Sequence, residues 1–264
     1  MLTFFRKIRK SLIDSSSARR YLLYAIGEIL LVMIGILLAL QVNNWNEHRL
    51  ALLEEEKLYC TMHQDMKLFH FYKEEGHSSY TSVILAAEQL LLLINDPSVK
   101  TSEEQIDEYL SALGKRWLTG AGSVTNIYDL LISSGKLELL NSTEVKRNLQ
   151  LLNSHLEYMF TYEELQAHFV DNRLNPYLDK NIDRISTSAK RLDLNESLYT
   201  SRFKTSYRML LDDREFANLL IELIKHSRRL VQTYDRMGLN IVTIDSIAVQ
   251  NCPTVANGRI KSTE

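Results

Sequence analysis

Few side chains in this sequence are spaced for chemistry, and three histidines come closest. His63, His70 and His77 are seven residues apart. Residues seven apart on an α-helix are about 10.5 Å apart along its axis, whereas a metal-binding pair on one helix needs a spacing of three or four. We therefore interpret the row as solvated histidines or histidines at the edge of a helix–helix seam. A metal or pH response would need partners from another helix, and His70 with Glu74 is the best-spaced pair.

No motif in the sequence specifies a reaction. The glycine-rich stretch 119–123 lacks the Gly-Lys-Ser/Thr of a phosphate-binding loop and the third glycine of a dinucleotide fingerprint, so we interpret it as a connecting loop. Zinc-protease, serine-hydrolase and paired-cysteine zinc patterns are absent from the sequence. Acids such as Asp129, Glu138 and Glu157 are scattered as on solvated helix faces. The sequence therefore predicts no enzyme, cofactor or metal site.

Glu28 is the one charged residue in an apolar stretch of twenty residues, 21–40. A helix of that length is about 30 Å long, which matches the hydrocarbon core of a bilayer. We predict a single transmembrane helix over residues 21–42. The alternative is a secretory signal peptide, but its apolar core is usually shorter and ends in small residues at a cleavage site. The segment Leu38-Ala39-Leu40-Gln41 offers no such site.

One face of this predicted helix has the features of a contact surface. A step of 100° per residue places Tyr24, Glu28, Leu31, Gly35 and Ala39 on the same side. A charged residue at the bilayer centre costs about 2.5–3.5 kcal/mol on insertion scales, so membrane acids usually face a partner or a cavity. The small pair Gly35 and Ala39 would let another helix approach closely. We predict a homodimer or a partner membrane protein here; the alternative is a protonated or snorkelling Glu28 near Tyr24.

Charges on the two sides of the span predict its orientation. Residues 1–20 contain six bases and one acid, and Glu47 and Glu54–Glu56 follow the span. Positive charge is retained in the cytoplasm. We therefore predict a cytoplasmic, basic, amphipathic arm at 1–20, on the inner leaflet or less plausibly recruiting a cytoplasmic partner, and an extracytoplasmic remainder.

Beyond the span, we predict a helical stalk that becomes the first helix of a bundle. Asn43, Asn44 and Trp45 suit the extracytoplasmic interface of the spanned membrane, where tryptophan is a common anchor. From Trp45 onward, apolar residues from Leu52 to Ile94 recur at both seam positions of a heptad. A bundle helix is the main interpretation and a continuous coiled coil the weaker alternative. The register is broken at Glu55, Lys73 and Gly76.

The rest of the chain predicts an all-α fold. Only three prolines and nine glycines occur in 264 residues, which suits long helices. One helix is expected from a cap at Thr101 to Gly114, and another from a cap at Asn141 to about Asn172, closed by Pro176. Further helices are expected at 124–134, at 198–211 and over a long stretch from Asp212-Asp213. An exposed crossover is expected at 179–196. The predicted organisation is an arm at 1–20, a transmembrane helix at 21–42, a stalk and first bundle helix at 43–97, a helical bundle at 98–250 and a flexible tail at 251–264.

Composition narrows the possible partners. Outside the arm, 25 bases stand against 32 acids, so the footprint of a nucleic-acid-binding protein is missing and membrane lipid is the expected contact. Cys60 and Cys252 are the two cysteines. An extracytoplasmic setting permits a disulfide between them. The favoured interpretation is nevertheless one small core residue and one tail residue.

The segment Tyr24 to Glu47, YAIGEILLVMIGILLALQVNNWNE, resembles the signature of an uncharacterised bacterial single-pass membrane family that is common in the Bacteroidota. That signature is roughly IGEIxLVxIGIxxALQxNNWNE. A weaker similarity lies at Leu130 to Arg147, where Lys136 and Ser142-Thr143 depart from the pattern SSGNLxLIxNKELR. The resemblance implies a domain of unknown function with an N-terminal anchor in the inner membrane and a helical periplasmic part. It implies no activity and no catalytic residues.

Two functions remain in view. The first is an interaction or scaffolding protein of the bacterial envelope that uses the face around Glu28. The second is an extracytoplasmic helical sensor module. The predicted arm of twenty residues is too short for an output domain, so a sensor would signal through a separate partner. This favours the first hypothesis.

Overall fold

The protein is all-α throughout the residues that the structure describes. The structure is a computed structural model that describes residues 18–115, 127–183 and 205–253, and each regular element in these ranges is helical. The chain forms two compact units, Met1–Glu55 and Glu56–Glu264. The predicted loop at 119–123 and nearly all of the predicted arm lie outside the described residues.

The first unit contains the whole apolar stretch, residues 21–40. Helix α1, Ala18–Asn95, is 78 residues long and begins three residues before the predicted span. Because no proline interrupts it and Gly27 and Gly35 are isolated, helical geometry is kept through the whole stretch. Among the described helices, this is the one long and apolar enough to cross a membrane, and its most apolar window is not buried.

The second unit is a bundle whose long elements are residues 56–95 of α1, helix α4 (Thr143–Phe169) and helix α7 (Arg214–Asn251). Helix α7 is antiparallel to α1, because Cys60 is bonded to Cys252 and Glu88 pairs with Arg228. It is also antiparallel to α4, because Asn148 and Gln166 contact Asn240 and Ser227 respectively. The elements after α1 are α2 (Glu103–Leu113), α3 (Ile127–Ser133), a 3₁₀ turn (Lys136–Leu139), α4 (Thr143–Phe169), a π segment (Val170–Leu174), α5 (Asn175–Asn181), α6 (Tyr207–Leu211) and α7 (Arg214–Asn251).

Three helix starts lie within one residue of where the sequence predicts them, whereas the helix predicted at 198–211 begins only at Tyr207 within the described residues. Ser102 caps α2 and Ser142 caps α4, each one residue after the predicted position. The hydroxyl oxygen of each serine accepts a hydrogen bond at 3.2 Å from the backbone N–H three residues later in the chain. Asp213 caps α7 by accepting the Glu215 N–H at 2.7 Å. Helix α2 ends at Gly114, as predicted, and α3 is followed by Gly135, whose φ of 69° suits glycine.

Pro176 does not close the helix as predicted. It lies in the first turn of α5, directly after the π segment, where the Asn175 N–H donates to the Val170 carbonyl five residues back. Proline has no N–H and its ring clashes with the preceding turn of a regular helix. The wider π turn accommodates both effects, so the chain stays helical to Asn181, through the first residues of the crossover predicted at 179–196. Residues 184–204 lie outside the described residues.

The core of the bundle consists of two apolar clusters with a polar layer between them. The seam predicted on α1 is confirmed from Tyr59 to Leu90, whereas its first predicted member, Leu52, is 42% exposed. One cluster includes Val83, Leu90, Leu113, Leu174, Phe216 and Leu223. The other cluster includes Tyr59, Met66, Leu149, Leu156, Tyr234 and Ile244. The polar layer consists of Glu163, Gln166, Ser227 and the hydroxyl of Tyr234.

Candidate functional site

The predicted contact face lies on the part of α1 that belongs to the first unit. Leu31 is 68% exposed, and Gly35 and Ala39 are also exposed, whereas Tyr24 and Glu28 are partly buried. A Cβ atom added at Gly35 would meet nothing within 4 Å, so the space beside this residue is open. The Tyr24 hydroxyl is buried and makes no hydrogen bond in the described part of the chain. The face therefore offers a small-residue notch within two helical turns of a carboxyl group.

The predicted interfacial residues follow directly on the same helix. Trp45 is 66% exposed. The Asn43 side-chain amide donates to the Glu47 carboxylate at 2.8 Å, and Arg49 donates to the Asn46 side-chain oxygen at 3.3 Å. These pairs satisfy polar side chains along the helix surface. The indole ring of Trp45 is available to contact a lipid interface or a partner.

The two cysteines form a disulfide, so the favoured interpretation of two isolated thiols is wrong. Cys60 on α1 and Cys252 after α7 are 192 residues apart in sequence, and their Cα atoms are 4.9 Å apart, within the usual range for a disulfide. Cys252 is 1% exposed. The flexible tail predicted at 251–264 is therefore wrong for its first two residues, because α7 extends to Asn251 and Cys252 is fixed in the fold. Residues 254–264 lie outside the described residues.

Two of the three regularly spaced histidines pair with acids of α7, which confirms the seam-edge interpretation. His63 is 7% exposed, and its Nδ1 is 2.6 Å from the Asp245 carboxylate. The Nε2 of His77 is 3.3 Å from Asp235. His70 is exposed. In the described ranges, no group of three or more His, Cys, Asp or Glu side chains is arranged to hold a metal ion.

The His70–Glu74 pair is a local electrostatic effect on one helix. The pKa of the Glu74 carboxyl is lowered, mainly by a hydrogen bond from Lys73, with smaller contributions from the nearby His70 and His77 side chains. Lys73 Nζ is 2.8 Å from Glu74. Neither histidine is brought to Glu74 by a second helix, so the arrangement has no geometry of a metal site.

The polar layer explains why Gly76 interrupts the apolar seam. The Tyr234 hydroxyl donates to Glu163 Oε1 at 2.7 Å, and Gln166 donates to the Ser227 hydroxyl at 3.0 Å. A Cβ at Gly76 would be 2.4 Å from the Cζ and hydroxyl oxygen of Tyr234. Glycine therefore lets the tyrosine ring lie against the backbone of α1. Sequence reasoning missed this contact because Tyr234 lies far along the chain from Gly76.

One groove on the described surface of the bundle is a candidate site for a small molecule. A shallow groove of about 300 Å³ lies along α7 and is lined by Val242, Asp245, Ser246, Val249 and Gln250. Its one carboxylate, Asp245, is already bonded to His63. The buried pair of Glu163 and Tyr234 is 3% and 0% exposed, respectively. The groove thus presents one engaged carboxylate and no second acid or base to a bound molecule.

No family model, curated protein or solved structure matches the chain. The resemblance at Tyr24–Glu47 therefore stays a prediction.

Proposed function

We propose that this chain is a single-pass membrane-anchored interaction or scaffolding protein of the bacterial envelope. It binds another envelope membrane protein, or a second copy of itself, through the face formed by Tyr24, Glu28, Leu31, Gly35 and Ala39. The observation that carries the proposal is the open notch at Gly35, two turns from the one charged residue of the apolar stretch.

Energetics favour a protein partner over lipid at this face. An acidic residue at the bilayer centre costs about 2.5–3.5 kcal/mol on insertion scales, so acids within a span usually face protein or a cavity rather than lipid. Association within a bilayer depends on close packing, which small residues at a spacing of four permit. Glu28, Gly35 and Ala39 combine both features on one face.

We further propose that the span lies in the inner membrane with the N-terminus cytoplasmic and the bundle periplasmic. The six bases of residues 1–20 support this orientation through the retention of positive charge in the cytoplasm. The Cys60–Cys252 disulfide supports it independently, because such bonds persist in oxidising compartments and are rare in the cytosol. Asn43, Asn44 and Trp45 then lie at the outer interface.

Crosslinking of the intact protein in its native membrane, followed by mass spectrometry of captured proteins, tests the proposal. The variants are Glu28→Leu, Gly35→Leu and the matched control Gly27→Leu. Gly27 and Gly35 are both free of neighbours within 4 Å, but Gly27 lies about 100° from Glu28 around the helix. We expect Glu28→Leu and Gly35→Leu to reduce capture at least about tenfold and Gly27→Leu to keep it within about twofold.

The captured species decides between the two kinds of partner. A different protein that is lost in both face variants identifies a heteromeric scaffold, and self-crosslinks lost in the same variants identify a homodimer. Equal capture by Gly27→Leu and Gly35→Leu, or capture that is independent of Glu28, contradicts the proposal.

The continuity of α1 favours the sensor as a second candidate. One helix, Ala18–Asn95, contains both the apolar stretch and the seam residues from Tyr59 to Leu90. A ligand that moves α1 together with α7 would then act on the helix that also contains the span. Capture of a kinase or transcription regulator in the crosslinking experiment favours this function, whereas a transporter or envelope-assembly protein favours the scaffold.

A further inference from the structure

We infer that Cys60 is the entry thiol and Cys252 the resolving thiol when the disulfide is formed by exchange with a dithiol–disulfide oxidoreductase outside the cytoplasm. The inference rests on the periplasmic placement proposed above. It adds an order of reaction and a class of partner enzyme that must supply the oxidising equivalents.

The two cysteine residues differ in exposure. Cys60 lies within α1 and is partly exposed. Cys252 lies just beyond the last residue of α7 and is 1% exposed. A bulky disulfide donor can therefore approach Cys60 in the folded bundle, whereas Cys252 is shielded by the protein around it.

The position of Cys252 depends on the docking of α7. Ile244 and Ala248, in the last turns of α7, are fully buried, and Asp245 is bonded to His63 three residues after Cys60. These contacts align the end of α7 with Cys60.

The chemistry balances in two exchange steps. The Cys60 thiolate attacks the donor disulfide, which forms a mixed disulfide and releases one donor thiolate. When α7 packs, the Cys252 thiolate attacks the Cys60 sulfur of the mixed disulfide and expels the second donor thiolate. The net reaction oxidises two protein thiols, reduces one donor disulfide to a dithiol and transfers two protons with the two electrons.

Full-length protein, reduced in detergent and then exposed to oxidised glutathione as the probe disulfide, tests the order. Adducts are trapped by acid at intervals and assigned by peptide mass spectrometry. We expect wild type to end with the Cys60–Cys252 bond and Cys252→Ser to stop at a glutathione adduct on Cys60. In Cys60→Ser, we expect the adduct on Cys252 to form at least about tenfold more slowly in the folded protein.

Concentrated urea supplies the control for intrinsic reactivity. The rates of the two single-cysteine variants should then agree within about threefold, because burial no longer distinguishes the thiols. The inference is overturned if the folded variants differ by less than tenfold, if Cys252 carries the first adduct in wild type, or if the rate difference persists in urea. The readout is independent of Glu28, so partner capture can fail while this order stands, and the reverse also holds.

Discussion

Replacement of Gly76 by alanine tests whether the polar layer depends on a close approach of α7 to α1. The new Cβ would lie 2.4 Å from two atoms of the Tyr234 side chain and 2.8 Å from a third. Ordinary contact begins near 3.4 Å, so the ring and the helix must separate by about 1 Å. Tyr234 is fully buried and stacks on Tyr80 at 6.2 Å between ring centroids, which leaves the ring little room to move.

The cost of this substitution follows from three contributions. Overpacking in a core costs about 1–3 kcal/mol. Displacement of Tyr234 removes its hydrogen bond to the buried Glu163, and the loss of a buried partner costs about 1–3 kcal/mol. Alanine in place of a helical glycine returns about 0.5–1 kcal/mol. We therefore expect the free energy of unfolding to fall by about 1–5 kcal/mol.

Urea titration of the full-length protein in detergent, followed by far-UV circular dichroism, measures the effect. Gly238→Ala is the matched control, because Gly238 is also in a helix at the α1–α7 contact. Its added Cβ would meet the flexible end of Lys73 at 3.2 Å rather than a buried ring. We expect this control to change stability by less than about 1 kcal/mol. Similar values for both variants would refute the close-approach argument.

Three further predictions follow from other contacts. The double variant Cys60→Ser/Cys252→Ser should lose about 5 kcal/mol on the chain-entropy estimate for a loop closed over 192 residues, and a urea titration that gives a loss below about 1 kcal/mol would contradict it. The pKa of Asp213 is lowered, first by a hydrogen bond from Tyr177 and next by the Glu215 N–H, so its stabilisation is present above the usual value of 3.8 and is lost as pH falls through the lower folded-state pKa. Asp213→Asn should therefore show a smaller drop in urea midpoint between about pH 6 and about pH 3 than wild type, and an equal drop would show that other acids dominate. Arg228→Ala should cost less than about 1 kcal/mol in the same titration despite its 2.6 Å contact to Glu88, because both side chains are well exposed, and a larger loss would show that the pair is part of a network.

The sequence predicts most of what depends on local spacing. Apolar residues at the heptad positions from Tyr59 to Leu90 are buried, because a helix places every third and fourth residue on one face. The start of α7 near Asp213 and the end of α2 at Gly114 also follow from local capping chemistry.

What the sequence does not reveal is which distant residues meet. Gly76 looks like a defect in the seam until Tyr234 is placed against it, and His63 looks solvated until Asp245 faces it. Pro176 predicts a helix end because its local clash is visible, whereas the π turn that relieves the clash is not. The face around Glu28 is a further case, because the partner that we propose for it would lie outside this chain.

The bundle contacts also limit what a sensor mechanism could be. Sliding of α1 along α7 would have to break the Cys60–Cys252 bond and withdraw Tyr234 from the gap at Gly76. The first change is covalent, and the second disrupts the hydrogen bond to the buried Glu163. A one-turn shift of about 5.4 Å is incompatible with both contacts while the disulfide is closed. A signal carried by α1 would therefore have to move α1 and α7 together, which is the behaviour expected of a rigid scaffold more than of a piston.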